Sequence, residues 1–177
     1  MNRQNQGWLR PILAISLAAC LPILALGQAG RAPAEEPAGK SEARNMAKTK
    51  FGPLPGLPTC LSGAVESGDP MKGPGFILAK LTTGCAIPWH WHSAGEHLMI
   101  VGGTARLDMV DAKSEMLTAG GFARLPAHHI HQFVCKKSCT LFIYTDGAFD
   151  IHYADKDGNE IPADNALKTV KEKAPKM

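Results

Sequence analysis

Six of the seven histidines in the chain fall in two short windows, residues 90–97 and 128–131. Histidines scattered for packing would not cluster in this way. In Trp89-His90-Trp91-His92 two imidazoles stand two residues apart, a spacing that puts both on one face of a β-strand. Glu96 comes four residues after His92, across Ser93-Ala94-Gly95. A turn that short lets the next strand return a carboxylate beside the imidazoles. His131, brought in from a more distant strand, completes a set of three imidazoles and one carboxylate. Such a set suits a divalent transition metal and leaves room for water or substrate. A lone His-x-His is often only a pair of surface histidines, and a lone Glu after a Gly is usually solvated. The argument therefore rests on the joint spacing.

The elements that must hold these residues are short strands. Gly and Pro are plentiful, at 18 and 13 of 177 residues, which favours many turns over a helical bundle. Phe51-Gly-Pro-Leu-Pro-Gly-Leu-Pro reads as an extended, proline-stiffened strap. Beyond it, apolar or alternating runs at 75–81, 86–92, 97–101, 105–110, 122–125, 130–135, 140–145 and 149–153 are separated by turn signals such as Val101-Gly-Gly, Ala119-Gly-Gly and Asp146-Gly. Evenly spaced short strands predict an all-β antiparallel sandwich or barrel. Only 165–173 has a helix-friendly composition, and no internal repeat is visible.

Two longer patterns sharpen this reading. Gly84-x5-His90-x-His92-x3-Glu96-x6-Gly103 resembles the first signature motif of the cupin superfamily position for position. Gly120-x5-Pro126-x-His128-x2-His131-x3-Cys135 resembles the second, with His128 where the family has Gly and Cys135 where it has Asn. The intermotif stretch 104–119 is short, as in small bacterial cupins, and the resemblance covers roughly residues 51–155. It implies a small β-barrel of jelly-roll type, with His90, His92, Glu96 and His131 as the metal ligands. Gly at the position of His128 eases a tight turn, so the turn is expected to differ locally. Cys135, if inward like His131 and Phe133, would approach the floor of the pocket.

Trp89 and Trp91 alternate with the ligands and should point away from the metal, into core packing or a homodimer interface. Leu98, Ile100, Leu107, Met109 and Phe133 are expected to line the interior. His128 and His129 precede the fourth ligand near the barrel mouth and read first as solvated loop histidines, with an outer-shell base as the sharper alternative. His97 points opposite to Glu96 and reads as structural; the side on which His152 projects is open. No catalytic residue beyond the ligands can be named.

The N-terminus has its own logic. Arg3 and Arg10 precede an uncharged, mostly apolar run at 11–26, and small residues follow at Gly27 and Ala29. That is the pattern of a secretory signal peptide, residues 1–29, leading to the periplasm or the extracellular space. The run contains two prolines and is short for a membrane span of roughly 20 residues. Leu17-Ala18-Ala19-Cys20 resembles a lipobox, but the chain stays apolar after Cys20, so cleavage near Gly27 or Ala29 is the preferred reading. Residues 30–50 read as a flexible linker, 51–157 as the domain and 158–177 as a C-terminal tail. An oxidising compartment permits disulfides among Cys60, Cys85, Cys135 and Cys139. Sequence does not choose among the three complete pairings, a Cys135–Cys139 bridge or free thiols.

A net charge of +3 with no lysine stripe argues against a nucleic-acid partner. The expected partner is a small molecule. The leading expectation is a metal-dependent enzyme of oxidoreductase, dioxygenase-like type, using Fe, Mn, Ni, Cu or Zn. The alternatives are a non-catalytic binding or sensing protein and a non-oxidative isomerase or lyase of the same fold.

Overall fold

Alternating burial carries most of the chain into antiparallel strands. The computed structural model describes residues 41–168 and 170. Its strands are β1 (Leu61–Gly68), β2 (Gly75–Leu81), β3 (Ala86–Trp91), β4 (Glu96–Met109), β5 (Glu115–Thr118), β6 (Phe122–Leu125), β7 (His131–Thr145) and β8 (His152–Tyr153), followed by one short helix, α1 (Ala163–Lys168). Every pairing is antiparallel: β1 with β2, β2 with β7, and β7 with both β3 and β4. β8 pairs with β3, and β4 also pairs with β5 and β6. This is the all-β jelly-roll expected. Leu61, Ile77, Leu81, Leu98, Leu107, Phe133, Leu141 and Ile143 form the centre of its core.

The runs expected at 97–101 and 105–110 are one strand, β4, and those at 130–135 and 140–145 are one strand, β7. The Val101-Gly-Gly signal marks a bend and not a chain reversal. Register shifts cluster between Ile100 and Ala105. They move the inward set from Leu98 and Ile100 to Ala105 and Leu107, an odd step that a regular strand cannot make. Gly103 has φ +87°, and a Cβ there would lie 2.2 Å from the Ser138 carbonyl oxygen. β1 and β5 are additions to the expected set. Both are edge strands with exposed positions, Val65 and Met116 among them, which weakens their period-two signal.

The strap ahead of β1 is held by reciprocal backbone hydrogen bonds between Gly52 and Gly63, at 2.9 and 2.8 Å. Leu54 packs where a side chain on Gly63 would go. Within the region read as a linker, Arg44 pairs with Glu66 at 2.6 Å and Thr49 donates a hydrogen bond to the same carboxylate. A disulfide joins Cys60 and Cys85 across 25 residues; closing a loop of that order is worth about 3 kcal/mol. Cys135 and Cys139 are free and buried, so the Cys135–Cys139 bridge does not form. Burial, with the neighbouring Cys135 thiol, pushes the Cys139 thiol up to about 12 and keeps it protonated. The signal-peptide and Cys20 readings, and the last seven residues, lie outside the described residues. Among the described residues no helix is long and apolar enough to cross a membrane.

Gly103→Ala should lower the unfolding free energy by about 2 kcal/mol or more, because the new Cβ meets backbone and the conformation is left-handed. Gly102→Ala, with open space around it, should cost well under ~1 kcal/mol. Urea denaturation of the two variants compares them directly, and equal midpoints would contradict this account of the bend.

Candidate metal centre

Four side chains meet inside the barrel, delivered by a bulge in β3 and by the first residues of β4 and β7. β3 pairs with β7 through Ile87–Phe133 and His90–His131, with an extra residue between. Strict alternation from buried Ile87 would turn Trp89 inward and His90 outward. The bulge at Pro88-Trp89 reverses the phase and aims His90 and His92 into the barrel. Proline fits there because a bulge does not need its missing N–H. His131 opens β7 and Glu96 opens β4, where it sits in register with Leu125 on β6 and Thr145 on β7. His90, His92, Glu96 and His131 are only 2, 4, 5 and 2% exposed.

Donor atoms of His90, His92 and His131 lie within 4.8 Å of one another. Glu96 reaches the same point: Oε2 is 3.3 Å from His131 Nε2 and Oε1 is 3.6 Å from His92 Nε2. The opposite edge of each imidazole faces a backbone carbonyl. His90 Nδ1 donates to Pro88 O at 2.6 Å, His131 Nδ1 to His129 O at 2.9 Å, and His92 Nδ1 to Asp150 O. A carbonyl can only accept, so each Nδ1 carries a proton and each Nε2 is the ring nitrogen turned toward the centre. Orienting partners of this kind are what metal-ligating histidines have. His92 Nε2 is buried with no hydrogen-bond partner among the described residues, an arrangement that costs about 1–3 kcal/mol if nothing binds there. The orphaned nitrogen and the convergent lone pairs fit a metal ion.

The electrostatics point the same way. Burial, and then the neighbouring His131 and His92, hold His90 well below the usual imidazole range and so neutral. Burial alone would raise Glu96, but His92 and His131 outweigh it and hold the carboxyl below its ordinary value. Both groups therefore rest in the deprotonated state that coordination requires.

The loops that hold this arrangement were not legible as functional. Asp150 gives its carbonyl to His92, and its Oδ1 accepts the Ser93 N–H at 2.8 Å. Asp146 Oδ1 accepts the Gly95 N–H at 2.7 Å, and a side chain on Gly95 would collide with that carboxylate. Together they pin the Ser93-Ala94-Gly95 turn that sets Glu96 against His92. Phe149 packs its ring 5.1 Å from that of His92. Thr145, fully buried opposite Glu96, has a hydroxyl with no hydrogen-bond partner among the described residues. The sequence marks Thr145 only as a strand end, Asp146 only as a turn, and Phe149 and Asp150 only as part of a short run.

The remaining histidines lie outside the cluster. His97 packs between Phe122 and Tyr144 on the outer face, the structural role expected. His129 pairs with Asp111 at 2.7 Å, and its carbonyl holds His131. His128 stands with φ 61°, a left-handed conformation that favours the glycine the cupin motif has there, and its ring meets Trp91. His152 stacks flat on Trp91 at 3.9 Å, which fixes its side as the outer one. Cys135 faces inward but donates to Leu81 O at 3.6 Å and does not line the space beside the ligands. That space is a cavity of about 20 Å³, closed by Leu61, Ile87, Leu98, Phe133 and Ile143.

Comparison with known proteins agrees with the fold. Residues 77–144 match the family model of the cupin domain. Two solved structures superpose with the fold. An RmlC-like cupin from Shewanella frigidimarina gives a TM-score of 0.51 at 18% identity, over 67% of this chain and 96% of that one. A candidate acetylacetone dioxygenase from Methylibium petroleiphilum gives 0.54 at 15% identity, over 72% and 90%. No curated protein matches the chain in sequence. Family match, jelly-roll topology and the inward histidine cluster agree that residues 77–144 form a cupin domain.

The protonation pattern has a measurable consequence. Stability rises with pH wherever the unfolded chain binds more protons than the native one. His90 is held below its ordinary 6.5 and Glu96 below 4.5. Their contribution is therefore complete above pH 6.5, declines as pH falls below that point, and declines again below 4.5. Urea midpoints of the chelator-treated protein should fall between pH 7.5 and 5 and again by pH 4. A midpoint flat across that range would contradict the assignment.

Proposed function

We propose that His90, His92, Glu96 and His131 hold one divalent transition metal and that the protein is a metal-dependent enzyme acting on a small organic molecule, with oxidative, dioxygenase-like chemistry as its class. The carrying observation is the convergence of three oriented Nε2 lone pairs and one carboxylate on a single buried point. A metal there supplies Lewis acidity and, for Fe, Mn, Ni or Cu, redox capacity. The 20 Å³ cavity, lined by His90, Glu96 and His131 and otherwise by apolar side chains, has room for one small molecule, a water or a dioxygen, beside the ligands. The candidate dioxygenase among the superposed structures is consistent with this class, although its likeness extends to fold alone.

A second reading, metal or small-ligand binding without turnover, draws on the same cavity. Apart from the ligands, its walls carry no polar group, and it is too small for an organic substrate as it stands. A group placed for acid–base work is what the enzyme reading still needs; the unpartnered hydroxyl of Thr145 is the nearest candidate by register.

Export is part of the proposal. The Cys60–Cys85 disulfide suits an oxidising compartment. The metal would then be acquired outside the cytoplasm, where affinity alone favours Cu or Zn and the other metals depend on supply.

Elemental analysis of the natively purified protein should find about one metal per chain, with His90→Ala and His92→Ala reducing it at least ~10-fold. Oxygen uptake with small organic substrates should vanish in the same variants. Turnover surviving in His90→Ala would remove the metal mechanism. Full metal occupancy without product across substrate panels would favour the binding reading.

A further inference from the structure

The ligand cavity leaves an organic substrate unplaced, yet a second chamber lies one residue away. It holds about 260 Å³ between the strap, the β1–β2 hairpin and the segment after β7, with Leu54, Val65, Met71, Ile77, Phe149 and Ile151 among its walls. Phe149 belongs to both neighbourhoods. It lines this chamber while its ring packs 5.1 Å from that of His92. Asp150 also lines the chamber and gives its carbonyl to His92. Phe149 therefore stands between the chamber and the His92 ring, and its neighbour Asp150 orients that ring.

The walls select by charge. Among the described residues, two carboxylates, Asp69 and Asp150, are the only ionisable groups lining the chamber, and no cation does. Both are already engaged, Asp69 with Lys72 at 3.0 Å and Asp150 with the Ser93 N–H. An anion would lose its hydration facing carboxylates, without a partner, and a cation would have to displace Lys72 from Asp69 or His152 from Asp150. A neutral, largely apolar molecule pays neither penalty. The exposed edges of Met71 and Val65 form the way in.

We infer that this chamber is the substrate pocket of the centre and that it takes a small neutral apolar molecule, with Phe149 as the movable partition between substrate and His92. The inference rests on the metal reading for its catalytic meaning, though the chamber can be tested without metal. The Phe149-Asp150 segment couples occupancy to the centre, because displacing it also shifts the acceptor of His92 Nδ1–H.

The experiment is fluorine NMR on the full-length, metal-free protein with 4-fluorobenzyl alcohol and 4-fluorobenzoate, probes that share a ring and differ in charge. The alcohol should bind at least about tenfold more tightly than the carboxylate. Val65→Trp, which fills the chamber from a half-exposed strand position, should abolish binding while circular dichroism stays unchanged. With cobalt(II) loaded, the fluorine of the bound alcohol should relax faster. Equal binding of the two probes, or binding untouched by Val65→Trp, overturns the inference. So does a Val65→Trp variant that changes oligomeric state with probe binding intact, since the chamber would then be a contact for a second copy. Failure to take up cobalt while the alcohol still binds sinks the metal reading and leaves the chamber standing. Normal uptake without probe binding does the reverse.

Discussion

The structure depends on keeping three imidazoles and one carboxylate buried together. Burying polar nitrogens and a charge is costly unless each finds a partner. The barrel meets this cost with backbone. Carbonyls of Pro88, His129 and Asp150 take the three Nδ1–H groups, and His131 and His92 flank the Glu96 carboxylate. What remains is a set of ring nitrogens and one carboxylate aimed at one point. The site is thus a polar island in an aliphatic core, complete on its outer side.

Several irregularities of the fold follow from that constraint. The β3 bulge inverts alternation so that histidines replace tryptophans on the inner face. The bend at Gly102-Gly103 changes the phase of β4, so that one strand supplies Glu96 at one end and core residues at the other. Asp146 and Asp150 hold the turn between His92 and Glu96 from a segment more than fifty residues later. Long-range placement of this kind is what a rigid barrel provides and a single hairpin would not.

Much of this was legible in the sequence, for physical reasons that can be named. The residues 90, 92 and 96 carry their geometry in their spacing, since period two and a three-residue turn leave little freedom. The motif spacing placed His131 beside them and named the fold, which the family match and the superposed structures support. The long strands were not legible, because two glycines that bend a strand look like two glycines that end one. Edge strands β1 and β5 were missed where solvent blurs alternation. Asp150 was invisible because its carbonyl, common to every residue, does the orienting. The left-handed His128 was half legible: the motif marks a glycine position, and the chain pays about 1–2 kcal/mol to keep histidine there.

The central claim is that the centre is pre-built, with its imidazoles oriented before any metal arrives. Nitrogen-15 NMR of the histidine rings in the metal-free protein at pH 7 tests it most directly, since ring shifts and couplings separate the two tautomers and the imidazolium. The account predicts that His90 is neutral and that His90, His92 and His131 each keep a proton on Nδ1. Any of the three found with its proton on Nε2, or averaging rapidly between tautomers, would contradict it.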